Sequence, residues 1–301
     1  MSNVIGLLGA CLVLGALARR SGRFPEAAPV ALNAFVLNVA LPALVLRAIH
    51  GLAFAPGLLL AAATPWLVFV MSFVLFHGLG GRLGLARGTA ACLVLTGGLS
   101  NTAFVGLPMT EALLGHGALG VAVVVDQLGS FMVLGTLATL FAARASADVA
   151  LGWGALLKRL LMFPPFIALV VGLVLRPFAF PGWMDELLKR LGDMLTPLAL
   201  FSVGFQLRLG RVHHHVRPLV LGLGYKLVLA PAVIALLVLV IPGMSPLVRE
   251  TTVLQAAMAP MVSGAILAAE HDLDPELSVL MVGIGIPLSF ALAPLAVWLM
   301  R

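Results

Sequence analysis

Charge is what this 301-residue chain lacks most: Asp, Glu, Lys and Arg make up 10% of it, against about a quarter in a soluble domain. So little polar cover excludes an ordinary water-soluble globule. Cysteine is almost missing too. Cys11 and Cys92 lie inside apolar runs with no partner at a metal or redox spacing, so they read as small core residues, and neither a metal nor a cofactor is expected. The alternating short strands of a membrane barrel are absent. Also absent are Gly-x-Ser-x-Gly, His-Glu-x-x-His, an intramembrane Ser/His pair and an acid dyad, which argues against an enzyme. Without a phosphate-cradling loop, ATP-driven pumping is excluded, leaving a gradient or the membrane potential as the energy source.

What the chain has instead is apolar material over its whole length: 61% hydrophobic residues and a mean hydropathy of +1.14. It comes in runs of roughly 18 to 25 residues, the length a hydrocarbon core of about 30 Å demands of a helix. The runs and their polar breaks predict ten transmembrane helices at 3–19, 28–47, 56–78, 88–115, 118–143, 156–176, 184–207, 216–241, 248–271 and 275–300. Arg19 and Arg20 follow the first run rather than precede it, the reverse of a signal peptide, so it is expected to be a retained helix.

The net charge of +6 does not imply nucleic-acid binding, because the basic residues are scattered over loops with no aromatic-interleaved patch. They sort by side. The first, third, fifth and seventh loops hold Arg19, Arg20 and Arg23; Arg82 and Arg87; Arg144, Lys158 and Arg159; and Arg208, Arg211 and Arg217. The even loops hold fewer, so the odd loops are expected to be cytoplasmic, with both termini periplasmic and the chain in a bacterial inner membrane. The longest polar interruption divides the chain into a five-helix repeat at 1–145, a cytoplasmic linker at 146–155 and a second five-helix repeat at 156–301. An odd number of helices per half makes the repeats inverted, the plan of many transporters.

In each half the fourth helix is interrupted at mid-span. Helix four carries Gly97, Gly98, Ser100, Asn101, Gly106 and Pro108; helix nine carries Gln255, Pro260, Ser263 and Gly264. Unwound backbone at membrane depth costs several kcal/mol per unpaired group unless it lines a cavity or meets a ligand. Crossing half-helices present N–H donors and partial positive charge, which suits a carboxylate. Close packing of small residues is the competing explanation for such segments.

At these residues the chain resembles the auxin efflux carrier family, which includes the plant PIN carriers and bacterial permeases of small organic acids. LSNTAFVGLP at Leu99 to Pro108 is similar to the family's first crossover. Ala259-Pro260, the APMVSGAILA run they open, and Glu270-His271 with Asp274-Pro275-Glu276-Leu277 are similar to the second. Leu32-Asn33 to Leu41-Pro42, Pro197 to Gly204 and Lys226 to Pro231 match the second, seventh and eighth helices, so the resemblance touches nearly the full chain. It implies an all-α membrane fold like that of bile-acid transporters and sodium/proton antiporters, with a scaffold and a crossover unit moving for alternating access. Ser100 stands where PIN carriers have proline, and Met261 where an amide would follow Pro260, so a plant-auxin substrate is not implied.

The substrate-binding candidates are Asn33, Asn38, Ser100, Asn101, Gln127, Gln255 and Ser263, with Ser100, Asn101, Ala259 and Pro260 at the crossover. Asn101 leads, because its amide both donates and accepts at the break. Asp126, deep in helix five, either couples transport to a proton or sodium ion or makes a structural hydrogen bond to a broken-helix N–H. Lys226 neutralises an anionic substrate, pairs with Asp126 or snorkels to the surface. His213, His214 and His215 cannot all face one metal ion from a helix. Tyr225, Trp66, Trp153, Trp183 and Trp298 are expected in the interfacial belt. The partners expected are a small organic anion and membrane lipids, with a homodimer left open. A cation/proton antiporter or sodium-coupled symporter of the same fold is the alternative function.

Overall fold

The structure, a computed structural model, describes residues 2–52, 57–146, 152–207 and 215–301. Among them every regular element is helical: α1 (Ser2–Arg20), α2 (Ala28–His50), α3 (Leu58–Gly78), α4 (Arg87–Gly98), α5 (Thr102–Leu114), α6 (His116–Ala145), α7 (Trp153–Leu161), α8 (Pro164–Leu175), α9 (Gly182–Asp193), α10 (Leu195–Gln206), α11 (Val216–Val240), α12 (Pro246–Ala256), α13 (Val262–Glu270) and α14 (Pro275–Trp298). Five of these, α2, α3, α6, α11 and α14, are continuous, apolar and long enough to cross a bilayer, while α5 and α8 are shorter apolar helices. The chain is thus an all-helical, multi-pass membrane protein. The expected linker at 146–155 falls largely on residues outside the described set.

Proline accounts for two divisions that the hydropathy reading ran through. The helix expected at 156–176 stops at Met162 and restarts at Pro164, because a residue before proline is pushed out of the helical region, and Phe163 is extended at φ −72°, ψ 119°. The one expected at 184–207 is divided at Met194. Pro197 cannot donate to the carbonyl one turn back, at Asp193. Proline also follows three milder distortions, since the widened π-type turns at Val36–Ala40, Thr102–Gly106 and Tyr225–Leu229 each end two residues ahead of Pro42, Pro108 or Pro231, whereas those at Phe73–Gly78, Val125–Ser130 and Leu134–Ala138 have no proline at that position.

The helices pack as two groups. In one, α10 lies along α1 and the start of α2, while α8 and α9 cover the end of α2. The approach of α1 to α10 is set by glycine, since a Cβ on Gly15 would run into the Phe201 carbonyl and one on Gly204 into that of Leu12. In the other, α3 packs on α4 and α6, α11 on α4 and α14, α12 on α3 and α14, and α13 on α4 and α14. The start of α5 meets α10 and α6, so the helix interruption lies where the groups touch.

Candidate functional site

Two short extended segments meet where the second group touches the first. Residues 99–101 separate α4 from α5, residues 257–261 separate α12 from α13, and Ser100 and Pro260 form an antiparallel bridge. Asn101 N donates to the Ala259 carbonyl at 2.9 Å and Met261 N to the Leu99 carbonyl at 3.0 Å. Each break therefore pairs one N–H and one C=O of the other, which lowers the cost of unwound chain at this depth. Gly-Gly at 97–98 precedes the first segment and Pro260 lies within the second, all of them poor helix formers.

Side chains gather around the bridge. Lys226, fully buried, donates to Ser100 Oγ at 2.5 Å and to the Ala256 carbonyl at 3.0 Å, at the C-terminal end of α12. It therefore neither pairs with Asp126 nor snorkels to the surface, and it does not line the cavity described next. Gln255 donates to Thr110 Oγ1 at 3.1 Å and sits so close to Gly106 that a Cβ there would strike its Oε1. Asp126 accepts from Thr102 Oγ1 at 2.5 Å and from Gln127 Nε2 at 2.7 Å. Its tie to the broken helix runs through a side-chain hydroxyl rather than a backbone N–H.

A cavity of about 420 Å³ opens beside the bridge. Asn33, Asn101, Asp126 and Ser263 from the sequence reading line it, together with Gln206 and Glu270 and apolar residues including Phe104 and Phe131. Asn101 is 3% exposed and its Nδ2 has no hydrogen-bond partner. Asn33 accepts from Ser202 at 2.6 Å, and Gln206 donates to the same hydroxyl at 3.1 Å, which carries the polar wall from α2 to α10. The first residues of α13, Val262 and Ser263, are in the lining as well.

Other expected residues lie elsewhere. Asn38 is exposed and donates to the Ala34 carbonyl of its own helix. Ser100, Gln127 and Gln255 are buried against the breaks or Asp126 rather than in the cavity wall. Tyr225 is not interfacial: it is buried and donates to the Val68 carbonyl. Trp66 also turns inward, donating to the Leu128 carbonyl at 3.0 Å, whereas Trp183 and Trp298 are exposed. The Trp153 side chain, His213 and His214 lie outside the described residues, and His215 contacts Asp274 at 3.1 Å. Gln206 and Glu270 carry no local signal that marks them as cavity residues.

A second cavity, of about 500 Å³, lies at the opposite helix ends and is lined by Arg47, Glu111, His116 and Asp185 among others. Arg47 pairs with Asp185 at 2.9 Å. Glu111 on α5 receives the Thr196 hydroxyl of α10 at 3.4 Å, with His116 Nδ1 at 3.2 Å.

Comparison with known proteins places the chain among membrane transporters. An uncharacterized transporter of Methanothermobacter thermautotrophicus is 27% identical over 272 residues, covering 88% of this chain and 87% of the relative. An uncharacterized transporter of Methanocaldococcus jannaschii is 23% identical over 310 residues, covering 98% and 97%. The model of the family described as membrane transport protein matches residues 1–152 and 153–299. These relatives are transporters and not enzymes, and the chain belongs to the membrane transport protein family, that of the auxin efflux carriers.

Proposed function

We propose that this protein is a secondary transporter that carries a small organic anion, a carboxylate, across the membrane by alternating access. The observation that carries the reading is Asn101: a buried amide N–H with no partner, in the wall of a cavity that also takes in the start of α13. An unpaired buried donor costs about 1 to 3 kcal/mol, which a carboxylate oxygen would recover, and the half-helix N-terminus adds partial positive charge.

In this reading ten spans form two inverted repeats, α4–α5 and α12–α13 are the crossovers, and α1, α2 and α8 to α10 are the scaffold. Lys and Arg in the odd loops support cytoplasmic odd ends and periplasmic termini in an inner membrane. The cavity then faces the cytoplasm, while the Glu111–Thr196 contact closes the far side. Cation/proton antiport has less support, since Asp126 is the one buried carboxylate among the described residues.

Counterflow in proteoliposomes with malate, succinate and glutarate tests the proposal. Asn101→Ala should lower exchange at least about tenfold, the equivalent of 1.4 kcal/mol, with the thermal melt retained. Unchanged exchange in that variant removes Asn101 from the site.

A further inference from the structure

We infer that Asp126 is a proton-binding site facing the cavity, and that the proton and the anion occupy the protein together and move in the same direction. The inference rests on the transport reading above for its second half only.

The geometry begins with burial. Asp126 is 3% exposed, on the widened turn Val125–Ser130 of α6. A carboxylate in such a place needs a counter-charge or a proton, because desolvating an unpaired ion costs several kcal/mol. Among the described residues no Lys, Arg or His makes an ion pair with it. The one buried cation, Lys226, is committed to Ser100 and the Ala256 carbonyl. Of the elements packed against this turn, α8 carries no titratable residue, α3 carries only His77 near its far end, stacked on Phe73, and α5 carries only Glu111 near its far end. Glu270 is the other carboxylate in the cavity lining, at the end of α13 away from the break.

The partners of Asp126 suit both protonation states. Thr102 and Gln127 donate to the ionised form. Gln127 Oε1 and Ser130 Oγ are buried without partners, so when Asp126 takes up a proton, rotation of the Gln127 amide turns its oxygen to accept the new O–H. An arginine in place of Gln127 would lock the ionised form. Sodium is the competing occupant, because the rotation that turns Gln127 Oε1 to the carboxylate serves a cation as well as a proton, and the titration below separates the two.

Coupling follows from adjacency. Thr102, which holds Asp126, is the next residue after Asn101, and both Asn101 and Asp126 line the cavity. An ionised Asp126 repels an anion at Asn101, and a neutral one does not. Anion binding therefore raises proton affinity and the reverse, by the same factor. The proton enters from water through the cavity, forms the O–H bond at Asp126, and is released to water on the other side with the anion.

The test pairs a substrate-free and a substrate-dependent measurement. Infrared titration of the purified protein without substrate should show a protonated-carboxyl band that is lost as the pH rises, absent in Asp126→Asn and shifted in Thr102→Val. No titrating band assignable to Asp126, or a band moved by sodium and not by pH, overturns the proton site. In proteoliposomes, malate uptake by the wild type should move protons with malate, measured with a trapped pH dye. Asp126→Asn, which imitates the neutral acid, should lower the number of protons moved per malate at least about tenfold. Proton movement retained in that variant, or protons moving against malate, overturns the coupling. Should Asp126→Asn not fold, Gln127→Leu, which removes the amide, is the second variant and should shift the infrared transition. If the wild type moves none of malate, succinate or glutarate, the transport reading fails, and the infrared titration still decides the proton site.

Discussion

At the scale of single residues, what decides the site is which buried polar atoms have partners. Lys226 is held by one hydroxyl and one carbonyl, so Lys226→Met leaves Ser100 Oγ and the Ala256 carbonyl without a donor. The expected loss is about 1 to 3 kcal/mol of stability, measured by thermal or denaturant unfolding in detergent; an unchanged melt would show that the ammonium contributes nothing there. Gly106→Ala drives a methyl into Gln255 Oε1, and Gln255→Ala should relieve the clash, so the double variant should be more stable than the sum of the singles predicts. Some of this was legible beforehand. Asn101 announced itself as an amide among poor helix formers, and Asp126 as a lone acid in an apolar run. The destination of Lys226 was not, because a long side chain on α11 can end at the surface or at the break, and only the packing of α11 on α4 decides between them. Asn38 went the other way: five residues beyond Asn33 on a helix widened by a π-type turn, it points outward to bond its own helix.

Among elements, prolines act as spacers. The π-type turns ahead of Pro42, Pro108 and Pro231 each insert extra backbone, which changes the face on which every preceding side chain sits relative to every following one. Pro231→Ala removes the ring that holds the Tyr225–Leu229 turn open. Return of that turn to α geometry should swing Lys226 off Ser100, so this variant should reproduce the stability loss of Lys226→Met in the same melt. Both interruptions of the long helices were readable from clustered Gly, Ser, Asn and Pro. The divisions at Phe163 and Met194 had signals too, in Pro164-Pro165 and Pro197, but hydropathy averaged over a window passes straight through a proline. Gln206 and Glu270 were hidden for a different reason: their role depends on where the ends of α10 and α13 come together, which sequence periodicity does not encode.

For the whole molecule, the proposed alternating-access cycle makes the interface between α10 and α5 the surface on which movement would occur. Locking it should trap one state: a cysteine pair at Glu111 and Thr196, whose native side chains meet at 3.4 Å, should abolish counterflow when bridged by a short reducible bifunctional thiol reagent and restore it on reduction. Insensitivity to that reagent, with the cross-link shown by mass spectrometry, would remove this contact from the cycle. The paired rungs between residues 99–101 and 259–261 carry a further consequence, for synthesis rather than transport. Asn101 leaves the ribosome about 160 residues before its partner strand, a gap of roughly 8 to 30 s at common elongation rates. Throughout that interval the first half has an open, thirsty stretch of main chain in or near the bilayer. A chain stopped at Val240 should therefore be cleared by membrane proteases far faster than the full-length chain in a pulse-chase experiment. The second half is the chaperone of the first.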